Sequence, residues 1–440
     1  MAEIVILGAG MAGFGAAHRL YNEGIRAKIY EKNNYHGGHA SSFISNGFVF
    51  DDGPHISFTK IKRLRKLFDK SINNEVEQFK AYVDNIWKKY RIKHPAQVNL
   101  HSLPKDLVVK IIQEIIALPN QRKKDIVNYK DWLYASYGET FSELFPMKYG
   151  LKFHTVPAEK MAIDWIGPRL YQANLEEVLK GAISTETDDV HYVNEFFYPS
   201  KGGFVSFLKT FLSQAEINLQ HEVVEISPVE KTLQFSNGSI VKYDQLISSI
   251  PLPELINVIK GVPQKVVQAS EKLACSMCVL VNIGVNREDI SDAHWTYIYD
   301  EDIVFTRLTF PHKQSSNNVP DGCGSVQAEI YFSKKYKPLQ KSPEEYIEPA
   351  INDLIRCAVL KPDDKILYKE AKLMTYANVI FDHERVPNLS IVHSYLNEIG
   401  IKYCGRYGDW EYLWTDTSFI SGEKAAQKVL DQTRISDQAK

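Results

Sequence analysis

The sequence predicts an α/β protein: a parallel sheet in three-layer ββα elements, assembled discontinuously, with a helical insertion and a β-rich layer. Two observations at the N-terminus and one along the chain carry that prediction. The apolar run Ile4-Val5-Ile6-Leu7 opens straight into Gly8-Ala9-Gly10-Met11-Ala12-Gly13, the strand, turn and helix start that seat a dinucleotide pyrophosphate. Gly8 permits the tight turn, Gly10 lets backbone N–H groups approach phosphate, and Gly13 lets the helix pack on the strand, its positive end toward the anion. The second strand, Arg26-Ala27-Lys28-Ile29-Tyr30, ends on Glu31, where an acid takes ribose hydroxyls. That is a Rossmann-type start. Further along, nucleotide-type blocks alternate with stretches of other periodicity, so the binding domain is built from separated pieces.

In chain order, residues 1–72 read as β-α-β followed by the glycine segment Gly37-Gly38-His39-Ala40-Ser41-Ser42. Residues 104–195 form the helical insertion, with Leu107-Val108-Val109-Lys110-Ile111-Ile112 at helical spacing. Residues 196–265 return to the binding domain through Tyr198-Pro199-Ser200-Lys201-Gly202-Gly203 and a helix over 204–215. Strand-like 221–226 and 233–240 follow, with Asn237-Gly238 marking a hairpin, and 243–251 is a buried strand ending in a turn. Residues 73–103 and 266–389 form a β-rich substrate domain of mixed sheet. Residues 390–435 close the binding domain with a glycine turn and a final helix. Contacts gathered from such separated segments suit FAD more than NAD. No second nucleotide fold is evident, so NAD(P)H would serve only as a reductant docking at the flavin.

Composition narrows the class. The chain has 440 residues, 24% of them charged, and a formal net charge of −2. A near-neutral surface gives no support for nucleic-acid binding, and the basic runs at 60–66 and 122–124 read as solvated helix faces. Five cysteines are too few and odd for a disulfide framework. Cys275 and Cys278 lack a second ligand pair and read as part of a buried strand, so no metal site is expected. No apolar stretch approaches the roughly 20 residues that span a bilayer, and a strand at the first residues leaves no room for a signal peptide. A cytoplasmic enzyme is expected; oligomeric state is not readable.

These motifs resemble the flavoprotein superfamily that includes amine oxidases, protoporphyrinogen oxidase and UDP-galactopyranose mutase. The resemblance implies a cofactor held by Gly8, Gly10, Met11, Ala12, Gly13, Glu31 and Lys32, by Gly38, His39, Ala40 and Ser41, and by Val223 and Val224. It also implies contacts from Gly405 and Arg406, the arginine meeting the pyrophosphate because a glycine turn before a helix collects anions, and from Asp416, Thr417 and Ser418 at the closing helix. Within the superfamily the chain is most similar to mutase-like members. Asp52-Gly53-Pro54-His55-Ile56-Ser57-Phe58 resembles the segment that sets a histidine beside the isoalloxazine. Val156-Pro157-Ala158-Glu159-Lys160-Met161 with Asp164-Trp165-Ile166-Gly167-Pro168-Arg169, and Thr306-Arg307-Leu308-Thr309, resemble the segments that deliver two substrate-diphosphate arginines. Gly405-Arg406-Tyr407-Gly408-Asp409-Trp410-Glu411-Tyr412 resembles the closing signature. Eukaryotic-type mutases carry Asn-Gln just before the aspartate matched by Asp416, whereas Leu413-Trp414-Thr415 stands here.

The mutase resemblance implies ring contraction of a nucleotide sugar through a flavin–sugar adduct, in polysaccharide biosynthesis. Arg169 and Arg307 would then stabilise the leaving diphosphate, with His55 and Tyr412 as further catalytic candidates. Each has a plainer reading: interdomain ion pairs for the arginines, a backbone-satisfied ring for His55, core packing for Tyr412, a helix cap for Asp416. The alternative is an FAD-dependent oxidoreductase of the amine oxidase or protoporphyrinogen oxidase type, toward which Ser249-Ile250-Pro251-Leu252-Pro253 leans.

Overall fold

The computed structural model describes residues 3–120, 125–167, 170–187, 190 and 193–438. Its centre is a five-stranded, all-parallel sheet ordered Lys402–Tyr403, Gln245–Ser248, Ile4–Leu7, Lys28–Tyr30, Glu216–Asn218. The strands come from three distant stretches of chain, so the discontinuity expected from the glycine blocks is a property of the sheet itself. Ile4–Leu7 is wholly buried, as a strand covered on both faces must be. On one side lie the helices Met11–Tyr21 and Thr415–Gln438, which approach so closely that a Cβ on Gly422 would fall 1.9 Å from the Ala12 carbonyl oxygen. On the other lies a three-stranded antiparallel meander, Val223–Ser227, Thr232–Phe235, Ile240–Lys242. Its last turn holds Asn237-Gly238, as the hairpin signal predicts.

The β-rich layer is a seven-stranded mixed sheet built on two ten-residue strands, Ser276–Val285 and Gly324–Ser333, paired antiparallel and buried throughout. Arg307–Thr309, Trp295–Ile298, Val83–Trp87 and Tyr90–Lys93 extend one edge, and Ile366–Met374 forms the other. Cys278 lies inside this sheet, all five cysteines are free thiols, and no cluster of metal-ligating side chains occurs among the described residues. The insertion supplies helices Lys105–Ala117, Tyr129–Tyr137, Glu139–Leu144, Pro146–His154 and Leu175–Ile183. No helix among the described residues is long and apolar enough to cross a membrane.

One element differs from its expectation. The segment Phe204–Gln214 is a run of 3₁₀ turns rather than an α-helix. Phe204 and Phe207, then Leu208 and Phe211, are buried pairs three apart, and three-residue spacing suits three residues per turn better than 3.6.

Candidate active site

The site begins at the first glycine turn. Gly8 takes φ +95°, a left-handed conformation that favours glycine, and its N–H donates to the Tyr30 carbonyl. Gly37 N–H donates to the Ala9 carbonyl, and Gly10 bridges Gly37, so the two glycine segments lie side by side. No side chain caps the helix that starts at Met11, which leaves the first-turn N–H groups open to an anion. Glu31 lies at the end of its strand, accepting from Ala9 N at 2.9 Å and from Asn33 N at 3.0 Å.

A cleft of about 660 Å³ runs from this turn to the closing segment. Gly8, Gly10, Met11, Ala12, Glu31, Lys32, Gly38, His39, Ala40, His55, Val223, Gly405, Arg406 and Ser418 all line it. The other cofactor candidates do not. Gly13 faces Gly8, where a Cβ would fall 2.0 Å from the carbonyl oxygen, so its role is close packing of helix on turn. Ser41 donates to the His36 carbonyl. Val224 is 45% exposed, at the bulge where the pairing steps from Val223–Phe235 to Glu225–Gln234. Asp416 accepts from Thr417 N and Thr417 Oγ1 from Trp414 N, so both side chains are engaged within the first turn of the last helix.

Arg406, expected at the pyrophosphate, is spent elsewhere. Its Nε and Nη2 donate to the Leu413 carbonyl and its Nη1 to the Ala377 carbonyl, so it braces the closing segment. The sequence reading also missed Lys372, Met374, Tyr376 and Trp414 on the cleft wall. Lys372 Nζ stands 3.1 Å from Asp52 Oδ1 and over the Phe43 ring.

The residues fit a flavin dinucleotide: open helix N–H groups for phosphate, an acid at the ribose position, and a deeply buried ring nitrogen, His39 Nδ1, that has no hydrogen-bond partner among the described residues. At its inner end the cleft joins a chamber of about 190 Å³ through shared walls that include His39, His55 and Arg406. Burial pushes the His55 imidazole down to about 4. The ring is therefore neutral at pH 7, and since Nδ1 contacts the Gly53 carbonyl at 2.7 Å, that nitrogen carries the proton and Nε2 the lone pair. The backbone-satisfied reading of His55 and its place on the chamber wall hold together.

Beyond the chamber, Tyr297, Arg307 and Tyr412 stand at the opening of a third cavity of about 730 Å³. Tyr129, Trp132, Tyr149, Phe153, Trp165 and Tyr299 line it, between the helical insertion and the seven-stranded sheet. Arg307 makes a two-pronged pair with Glu329, Nε to Oε1 at 2.7 Å and Nη2 to Oε2 at 2.9 Å. Burial opposes its charge, but the Glu329 carboxylate more than offsets this and holds the guanidinium protonated. The Arg406 guanidinium lies over the Tyr412 ring at 5.3 Å. Arg169 lies outside the described residues.

Comparison with known proteins fits this geometry. Residues 11–430 match the family of flavin containing amine oxidoreductases. The structure superposes on a reduced UDP-galactopyranose mutase with TM-score 0.91 and 25% identity, over 98% of this chain and 96% of that one. A protein described as a protoporphyrinogen oxidase from Exiguobacterium sp. 255-15 shares the fold at TM-score 0.73 and 13% identity, over 97% of this chain and 98% of that one. Among curated proteins, 4,4'-diapophytoene desaturase of Staphylococcus aureus (strain Newman) is 24% identical over 302 residues, 58% of this chain. The match spans only 56% of the length of that relative. With a family match over nearly its whole length and a cleft that fits the cofactor, the chain belongs to the flavin containing amine oxidoreductase family and is a flavoenzyme.

Proposed function

We propose that the protein is a flavin-dependent nucleotide-sugar mutase that interconverts pyranose and furanose rings of a UDP-hexose-like substrate. The observation that carries this reading is Arg307 at the opening between the flavin-end chamber and the aromatic cavity. There a diphosphate would lie on the guanidinium while its base entered among tyrosines and tryptophans and its sugar entered the chamber. Likeness to the mutase across nearly the whole chain supports the same reading.

Bound FAD in its reduced state would supply a nucleophilic ring nitrogen for the anomeric carbon. The chain does the rest. Arg307 donates charge-assisted hydrogen bonds to the leaving diphosphate as negative charge builds on it, within walls that exclude bulk water. His55 presents a lone pair at Nε2, which can accept a hydrogen bond from a neighbouring N–H or hydroxyl. Tyr412 and Tyr297 flank the diphosphate position. Polysaccharide biosynthesis is the process such a product would feed.

The test incubates the flavin-loaded protein with UDP-galactopyranose and with other UDP-, dTDP- and GDP-hexoses, before and after reduction by dithionite or NAD(P)H. Furanose product is expected only from the reduced protein, with no net consumption of reductant. A second reading, an FAD-dependent oxidoreductase acting on an apolar substrate, draws support from the desaturase similarity and the aromatic lining of the outer cavity. Steady bleaching of the oxidised flavin by an amine or polyene, with no ring interconversion, would favour that reading instead.

A further inference from the structure

Arg307 does not meet a ligand as a lone cation. It sits directly opposite Glu329 on the neighbouring strand, on the same sheet face, where cross-strand side chains touch. Glu329 is the only charged residue of Gly324–Ser333, a strand buried along its whole length, and is itself 0% exposed. Two residues on, and so on the same face, the Tyr331 hydroxyl donates to Glu329 Oε2. A carboxylate this deeply buried is tolerated only when it is paired and hydrogen-bonded, and two guanidinium N–H groups and one phenol do this. The arginine is the more accessible partner, its side chain 23% exposed. Nε and Nη2 are turned to Glu329, and the Tyr297 hydroxyl hydrogen-bonds the same guanidinium.

We infer that Glu329 is a positioning residue that fixes the Arg307 guanidinium at the wall shared by the chamber and the outer cavity and lowers its pull on a bound diphosphate. This inference rests on the mutase reading. Two effects of one carboxylate are involved, and they act on different stages of turnover. Its geometry holds the donor edge where charge develops during bond breaking, which favours the transition state. Its charge repels the same diphosphate in the ground state and in the product complex, which limits uniform binding that would not raise turnover.

Two substitutions separate these effects. Glu329→Gln keeps the shape and one acceptor but removes the charge; Glu329→Asp keeps the charge but draws the carboxylate back by one methylene, out of two-pronged register. UDP affinity is measured on the flavin-loaded protein by titration of the flavin absorbance, and turnover on the reduced protein with UDP-galactopyranose. Glu329→Gln is expected to bind UDP about tenfold tighter while kcat falls. Glu329→Asp is expected to leave UDP affinity within about twofold of the parent while kcat falls tenfold or more. The tightening should vanish in an Arg307→Ala background, since it acts through that arginine. Unchanged or weaker UDP binding by folded, yellow Glu329→Gln, or the same tightening without Arg307, overturns the inference and leaves the mutase reading standing. A parent protein that binds no UDP at millimolar concentration overturns that reading and the inference with it.

Discussion

At the residue scale, two of the three expected anion binders divide their labour in a way that residue type alone could not reveal. Arg406 and Arg307 are both arginines beside a glycine-rich or aromatic segment, yet one is consumed by backbone carbonyls and the other keeps an edge toward the chamber. Arg307→Ala should therefore weaken UDP binding about a hundredfold, the few kcal/mol of one charge-assisted donor pair, with flavin content unchanged. Calorimetric titration of the yellow protein checks this, and an unaltered affinity would rule out a phosphate role. Gly13 makes the opposite case, a residue that matters for space alone. Gly13→Ala drives a methyl group to about the position 2.0 Å from Gly8 O, and overpacking of this kind costs about 1–3 kcal/mol. Because the displaced atoms form the phosphate turn, the variant should purify with much of its flavin missing, measured as the ratio of absorbance at 450 and 280 nm.

At the element scale, the segment 405–415 is the hinge of the site, since Arg406, Tyr407, Tyr412, Leu413 and Trp414 all reach a cavity wall from it. It runs through Trp410, which sits at φ +55°, a conformation that costs a bulky residue on the order of 1–2 kcal/mol. The strain is held by Arg385, 3% exposed, whose Nε and Nη2 both donate to the Trp410 carbonyl while Nη2 also reaches Glu411. Its Nη1 extends to Asp164 of the helical insertion at 3.3 Å, in the stretch that leads toward Arg169. Arg385→Met should release the Trp410 turn and leave that carbonyl unpaired. The expected loss is about 3 kcal/mol of stability, with faster flavin dissociation and a displaced Tyr412. Thermal unfolding and stopped-flow flavin release measure the two, and a variant with parental values for both would show the turn to be self-supporting. None of this was legible in the sequence. The glycines were readable because a turn at φ +95° and a 2.0 Å approach admit little else, and the long apolar strands because their pattern is periodic. Arg385 sits in an ordinary helix start, and Lys372 in a strand whose inward face only pairing with Ser276–Val285 decides. Glu329 did leave a trace, a single acid in an otherwise uncharged ten-residue strand, which periodicity discounts and burial makes informative.

At the scale of the whole molecule, the parallel sheet pairs residues 188 apart, Ile29 beside Ile217 for example, and such pairing is fixed by tertiary packing and not by local propensity. Legible blocks therefore gave the class of fold, while the cavities between them emerged only on assembly. That assembly buries many imidazoles, and their burial sets how the protein responds to acid. Burial pushes His39 and His154 down to about 3, and His55, His294 and His312 down to about 4. In the unfolded chain each returns to about 6.5. Below that value the unfolded state binds more protons, so stability is full above pH 6.5 and is lost as pH falls toward 4. Burial raises the Asp51 carboxyl to about 6 and Asp52 in the same direction. Those groups act with opposite sign, since the folded state takes up their protons first and gains stability as pH falls through 6. The buried imidazoles outnumber these two carboxyls, so the net effect of acid is a loss of stability. The melting temperature of the flavin-loaded protein should be flat from pH 8 to 7 and fall steeply between 6 and 5. His294 offers the control, since its Nδ1 accepts from Tyr82 N–H at 3.0 Å and an asparagine oxygen can accept in its place. His294→Asn should lessen the acid slope by about one proton, near 1.4 kcal/mol per pH unit, and an identical slope would remove that histidine from the account.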